Sequence, residues 1–209
     1  MTHIGHSEKM LSMKILLLIL ILTLSFQTWI KADDIRDFKI EGISIGDSLL
    51  DYLSEVEINK KIIKQDYTSD RFKTIFINSS HILVNIYDDL YFDFKKNDNK
   101  YIIQAIAAKV DYENLPIIRC LDKKKEIVSS IKLLFPNSEP EDDTQSHPSD
   151  ETGKSKVYRT SFGITNSNWL SIEASCFSWD KKIIRFSNHL RVSVKSDEYN
   201  VWLRDEAYK

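Results

Sequence analysis

Trp169-Leu-Ser-Ile-Glu-Ala-Ser-Cys-Phe-Ser-Trp179 alternates residue by residue. Leu170, Ile172, Ala174 and Cys176 fall at one parity, and Ser171, Glu173 and Ser175 at the other. Successive strand side chains point to opposite faces, so this is a strand with one face in a core. Such a strand needs a second layer over its apolar side, which points to an α+β protein with helices packed on an antiparallel sheet.

Working outward, Val157 to Ile164 reads as the preceding strand, joined through a Thr165-Asn-Ser-Asn168 hairpin turn. Downstream, Ile183 to Lys195 reads as a third strand, with Leu190, Val192 and Val194 opposing Arg191, Ser193 and Lys195. An amphipathic turn carrying Tyr199, Trp202 and Leu203 closes the chain. Upstream, Asn137 to Lys156 is polar and reads as an exposed loop. Before it, Cys120 to Phe135 places Ile127, Val128, Ile131, Leu134 and Phe135 on one helical face, and Pro136 stops the helix.

Residues 33–116 repeat this plan. Leu49, Leu50, Leu53 and Val56 share one helical face behind a cap at Asp47 or Ser48. Ser54-Glu-Val-Glu57 matches a capping box for a short helix carrying Ile58, Ile62 and Ile63. Strands are expected at Phe72 to Ile77, Ile82 to Tyr87, Leu90 to Lys95 and Tyr101 to Tyr112, with a turn at Asn97-Asp-Asn99. The reading is therefore two similar helix-then-meander halves, 33–116 and 117–209, the second with an exposed polar loop at 137–156.

Ahead of both halves, Lys14 precedes the apolar run Ile15 to Phe26, and small Ala32 ends the segment before Asp33-Asp34. That is the pattern of a secretory signal peptide over residues 1–32. It implies a periplasmic or secreted protein that meets the membrane only through its leader. An uncut leader would instead anchor it in the inner membrane, although a span needs about 20 apolar residues. Removing Lys9, Lys14, Lys31 and Glu8 from the 29 basic and 31 acidic side chains leaves 26 and 30. An acidic balance with scattered cations argues against a nucleic-acid partner. Lys123-Lys-Lys125, the densest basic run, reads as a solvated helix face.

Cys120 and Cys176 are the only cysteines. In an oxidising compartment an even count reads as one bridge. Cys120 lies seven residues before Ile127 on the buried helix face, and Cys176 is in register with Leu170, Ile172 and Ala174. Both thiols thus point into one helix–sheet interface. Neither has metal-ligand spacing, and no metal or other cofactor is expected.

Gly42-Ile-Ser-Ile-Gly46 spells a nucleophile elbow around Ser44. The elbow needs a central parallel sheet before it, and only about nine residues separate it from the leader. A glycine-flanked turn is the better reading, and no catalytic residue is assigned. Gly153-Lys-Ser155 ends like a phosphate loop, but Pro148 stands where that motif starts with glycine, and a strand follows in place of a helix. The acids around His147, and the pair Asp88-Asp89, lack the spacing of a calcium site and read as solvated loops or turns. Trp169, Phe177 and Trp179 remain, a row on the polar side of their strand. They are the candidate binding residues, with the C-terminal segment as the expected cover.

Ile40-Glu-Gly-Ile-Ser-Ile-Gly-Asp-Ser-Leu-Leu-Asp-Tyr-Leu-Ser54, His147-Pro-Ser-Asp150, Gly153-Lys-Ser-Lys156 and the Cys176/Trp179 pair carry a resemblance. The chain resembles a group of small secreted proteins of marine bacteria with AT-rich genomes, whose function is uncharacterised. The Ile-x-Ile-Gly-Asp-Ser turn is also similar to small envelope domains of the outer-membrane assembly lipoprotein type. The leader lacks a lipoprotein cysteine, so no lipid anchor is implied. The resemblance implies export but no activity. The functional expectation is a non-enzymatic envelope protein binding another protein, a peptide or a surface ligand. The alternatives are a secreted hydrolase using Ser44 or the acids, and a membrane-tethered structural protein.

Overall fold

Eight antiparallel strands form one sheet, in the order β1-β2-β3-β4-β8-β7-β6-β5. The computed structural model describes residues 34–113, 115–164, 171–183 and 185–209. The leader, the 165–168 turn, Trp169 and Leu170 lie outside these residues. The strands are β1 (Ile62–Ile63), β2 (Phe72–Asn78), β3 (Asp89–Lys95) and β4 (Ile103–Asp111), then β5 (Pro140–Ser146), β6 (Lys156–Phe162), β7 (Ile172–Ser178) and β8 (His189–Lys195). Helix α1 (Glu55–Lys61) precedes the first meander, α2 (Ile117–Leu134) precedes the second, and α3 (Asp197–Asp205) ends the chain. The fold is α+β, and β4 pairs with β8 to join both meanders into one sheet.

Register explains the core. Ile75, Phe92, Ile106, Val194, Ile172 and Phe162 stand in one row across six strands. Ile77, Leu90, Ala108, Val192 and Ala174 form the next. All are buried on one face, under α2, α1 and the 34–54 segment. Burial of this kind stabilises by about 25 cal/mol per Å² of apolar surface. The bridge joins Cys120 on α2 to Cys176 on β7, with a Cα–Cα distance of 6.0 Å. It fastens the longest helix to the middle of the sheet.

Five expectations are corrected. The Leu49–Val56 face is no α-helix: Ser48 caps a single 3-10 turn, Leu49–Asp51, and Val56 is exposed. Leu49 and Leu53 alone reach the core, and the capping box at Ser54 starts the helix proper. Ile62 and Ile63 leave that helix to pair with β2. Ile82 to Tyr87 is a loop, because the Glu41 carboxylate accepts the N–H groups of Asn85, Ile86 and Tyr87, which a strand neighbour would need. Within 137–156, Pro140–Ser146 forms edge strand β5 despite its polarity. Its side chains stay exposed, so backbone pairing with β6, without apolar burial, holds it. Lys124, in the supposed solvated run, folds back to donate to Thr160 Oγ1 at 2.7 Å.

Candidate functional site

The opposite face of the sheet carries the other parity, and it is polar. Helix α3 covers one part of it. Ser196 caps α3 by accepting from the Tyr199 N–H and donates to Gln104 Oε1. Trp202 packs on Phe72 and Tyr67, and Thr68 and Ser69 donate to the Ala207 carbonyl. The 179–188 loop, through Arg185, Phe186 and Ser187 of its described residues, rises at another part. Between these two walls lies a trough floored by the small buried residues Ala105, Ala107, Ser175 and Ser193. It comprises a cavity of about 310 Å³ on the α3 side and one of about 290 Å³ under the loop, sharing Ala107 and Arg191.

Pairing carries charges into this trough in an ordered row. Lys109 on β4 stands opposite Arg191 on β8, Arg191 opposite Ser175 on β7, and Ser175 opposite Arg159 on β6. At about 4.8 Å per strand, Lys109 and Arg191 backbones are about 5 Å apart, and Arg191 and Arg159 about 10 Å. Lys109 is held by Asp111 at 2.9 Å and Asp89 at 3.4 Å. Lys195 pairs closely with Glu173, which Arg159 also approaches at 3.5 Å. Arg191 is exposed and enters no ion pair among the described residues. Arg185 lies 4.5 Å over the Phe186 ring and is likewise unmatched by a carboxylate among them.

The titratable groups register this field. Burial pushes the His189 imidazole down to about 4, and the Lys109 and Arg191 cations push in the same direction. Burial works to raise the Glu173 carboxyl, but Lys195 and Arg159 outweigh it and hold it below its usual range. Burial lifts Asp93 to about 6 against the pull of the Thr74 and Tyr199 hydroxyls.

The aromatic row meets this trough at one end. Phe177 stacks on His189 with ring centroids 4.3 Å apart. Trp179 lies between Phe186 and His147, each with its centroid at 4.2 Å. Both members of the row are half-buried. Their cover is therefore the 179–188 loop and the two histidines, and the C-terminal segment lies over Phe72 and Ala105 instead. Trp179 Nε1 is buried without an acceptor among the described residues. Trp169, the third candidate, lies outside the described residues.

Ser44 stands apart from this face. Its hydroxyl is buried and donates to the Arg36 carbonyl at 2.8 Å, and its N–H donates to Asp47. Gly42 and Gly46 have φ of 82° and 88°, so the motif is a turn that needs glycine at both positions. Of the histidines that follow Ser44 in the chain, His147 and His189 are engaged in the aromatic cluster. Asp93 and Glu173 share a cavity lining with pKa values driven apart, which elsewhere marks an acid–base pair. Here three strand spacings separate their backbones, about 14 Å, and each carboxylate is engaged by its own partner, Glu173 by Lys195 and Asp93 by the Thr74 hydroxyl. Among the described residues no group of three His, Cys, Asp or Glu side chains could hold a metal ion, and no helix is long and apolar enough to cross a membrane.

Lys109, Arg159, Arg191, Lys195, Asp93 and Glu173 were not singled out by the sequence. Their parity on each strand is visible there, but the strand order that makes them neighbours is not. Compared with known proteins, the chain matches no family model, no curated protein and no solved structure.

Proposed function

We propose that this is an exported envelope protein acting as a non-enzymatic binding module, which takes a protein, peptide or surface ligand in the trough on the polar face of its sheet. The observation that carries the reading is the trough itself: a floor of small residues between two walls, with Arg191 exposed at its centre. Binding sites combine a concave surface, apolar rings and a few placed polar groups, and this face has all three. The Cys120–Cys176 bridge fits an oxidising compartment, which supports export.

Two measurements test the reading. Export with cleavage near Ala32 predicts an intact mass for a chain starting at Asp33 in the periplasmic fraction; a stable full-length species in the inner membrane contradicts it. Ala107→Trp fills the trough floor. With the fold checked by near-UV circular dichroism, it should abolish co-purification of whatever the wild-type protein retains from envelope extract. Equal retention by both proteins would place binding elsewhere.

A further inference from the structure

Lys109 directly opposite Arg191 breaks a rule of sheet stability. Like charges facing each other on paired strands are unfavourable. Arg159 lies two strands further along the same row, and Arg185 joins from the loop above. Carboxylates do answer some of these cations. Asp89 and Asp111 hold Lys109, and Glu173 holds Lys195 and part of Arg159. Arg191 and Arg185 also line the trough and form no ion pair among the described residues, although the Glu173 and Asp93 carboxylates share the lining with Arg191 and feel its charge. Local violations of this kind are expected where a ligand supplies the compensation.

Resting on the binding reading above, we infer that the trough takes an extended acidic peptide segment, carrying carboxylates on either side of an apolar or aromatic residue. Guanidinium forks match carboxylates in two-point hydrogen bonding, and Arg191 and Arg185 are free to use both prongs. The row's spacing of about 5 and 10 Å suits two carboxylates on one chain more than one compact anion. Tyr91, Phe186, Phe177 and Leu203 line the same trough between the cations, and they give an apolar side chain somewhere to pack. A compact phosphate needs none of these surfaces. The sheet face also offers no row of free backbone N–H groups of the kind phosphate sites use.

The test titrates the exported protein as isolated, isotopically labelled, with three capped pentapeptides: Glu-Glu-Phe-Glu-Glu and its Gln and Lys counterparts. Sodium phosphate and citrate serve as small-anion controls. The acidic peptide should shift the amide signals of Ala107, Ser175 and Arg191, with an affinity that falls as salt rises. Arg191→Gln and Arg185→Gln, both at exposed positions, should each weaken it by about tenfold. Equal binding by the Gln peptide at the same signals would overturn the acidic class and leave the trough as the binding site. Phosphate or citrate binding as tightly as the acidic peptide would overturn the peptide. Signals unmoved by every probe would overturn both this inference and the reading beneath it.

Discussion

Asp93 is almost wholly buried between Thr74 and Tyr199, and both hydroxyls donate to it. Arg191 and Lys195 favour its charge, but burial outweighs them and raises it to about 6. The sign follows from the unfolded value of about 3.9. Below pH 4 both states hold the proton and nothing is lost. As pH rises towards 6 the unfolded chain ionises first, so the folded state loses roughly 3 kcal/mol by pH 7. Asp93→Asn removes this loss. Its melting temperature relative to wild type should climb between pH 4 and pH 6.5 and then level off. A flat difference across that window would mean that Asp93 ionises as it does in the unfolded chain. His189 acts in the opposite direction, since its folded value of about 4 lies below its unfolded one and stability falls as pH drops from about 6.5. It is common to both proteins and cancels in the comparison. Ser44 makes a simpler case. With its hydroxyl donated to Arg36, a fluorophosphonate probe should leave it unlabelled, and Ser44→Ala should cost about 1 kcal/mol of stability.

Helix α2 shows how an element depends on one cross-link. Pro116 precedes it without a side-chain cap, and Cys120 and Ile131 are its only fully buried residues. Its apolar face is thin, with Ile127, Val128 and Leu134 only partly covered. The bridge to β7 closes a loop across a sequence separation of 56, which in chain-entropy terms is worth about 4 kcal/mol. The Cys120→Ala/Cys176→Ala pair should therefore lower the free energy of unfolding by about 2–4 kcal/mol, measured by urea titration, with the largest loss of hydrogen-exchange protection in α2. A double variant as stable as wild type would show that packing alone holds the helix. Strand β5 is the opposite kind of element. It has backbone pairing and almost no buried side chain, and its acids Glu141, Asp142 and Asp143 face solvent, as charged residues on a sheet edge commonly do.

At the scale of the molecule, α3 is the piece that makes the polar face a trough. It docks through a small separate cluster of Phe72, Ala105, Tyr199, Trp202 and Ala207. Trp202 is fully buried, and its indole N–H donates to Ser69 at 2.9 Å. Trp202→Ala should cost about 3–5 kcal/mol. Because this cluster lies across the sheet from the main core, the variant should keep the cores of β3, β4, β7 and β8 protected in hydrogen exchange while α3 loses protection. Global loss of protection would show instead that both faces unfold as one unit. If the wall is lost selectively, the signals of Ala105 and Ser193 on the trough floor should shift with it.

How much of this was legible beforehand differs by feature. The parity of Ile172, Ala174 and Cys176, the cap at Ser54, the stop at Pro136 and the facing of Cys120 and Cys176 are local, and the sequence alone determined them. Each depends on chain period or on a side chain bonding its own neighbourhood. The strand expected at Ile82–Tyr87 does not form because Glu41, more than forty residues earlier, takes those N–H groups. The Leu49–Val56 helix shrank to a turn because the chain there is bound across to Tyr101 and Ile103. β5 was missed because its partner strand, not its composition, makes it a strand. The candidate site lies at the far end of this range. Alternation places Lys109, Arg159 and Arg191 on the polar sides of their strands, but period two carries no information about which strands are neighbours. Only the long-range pairing of β4 with β8, and of β7 with both β8 and β6, sets those charges side by side, and that pairing is a property of the folded chain.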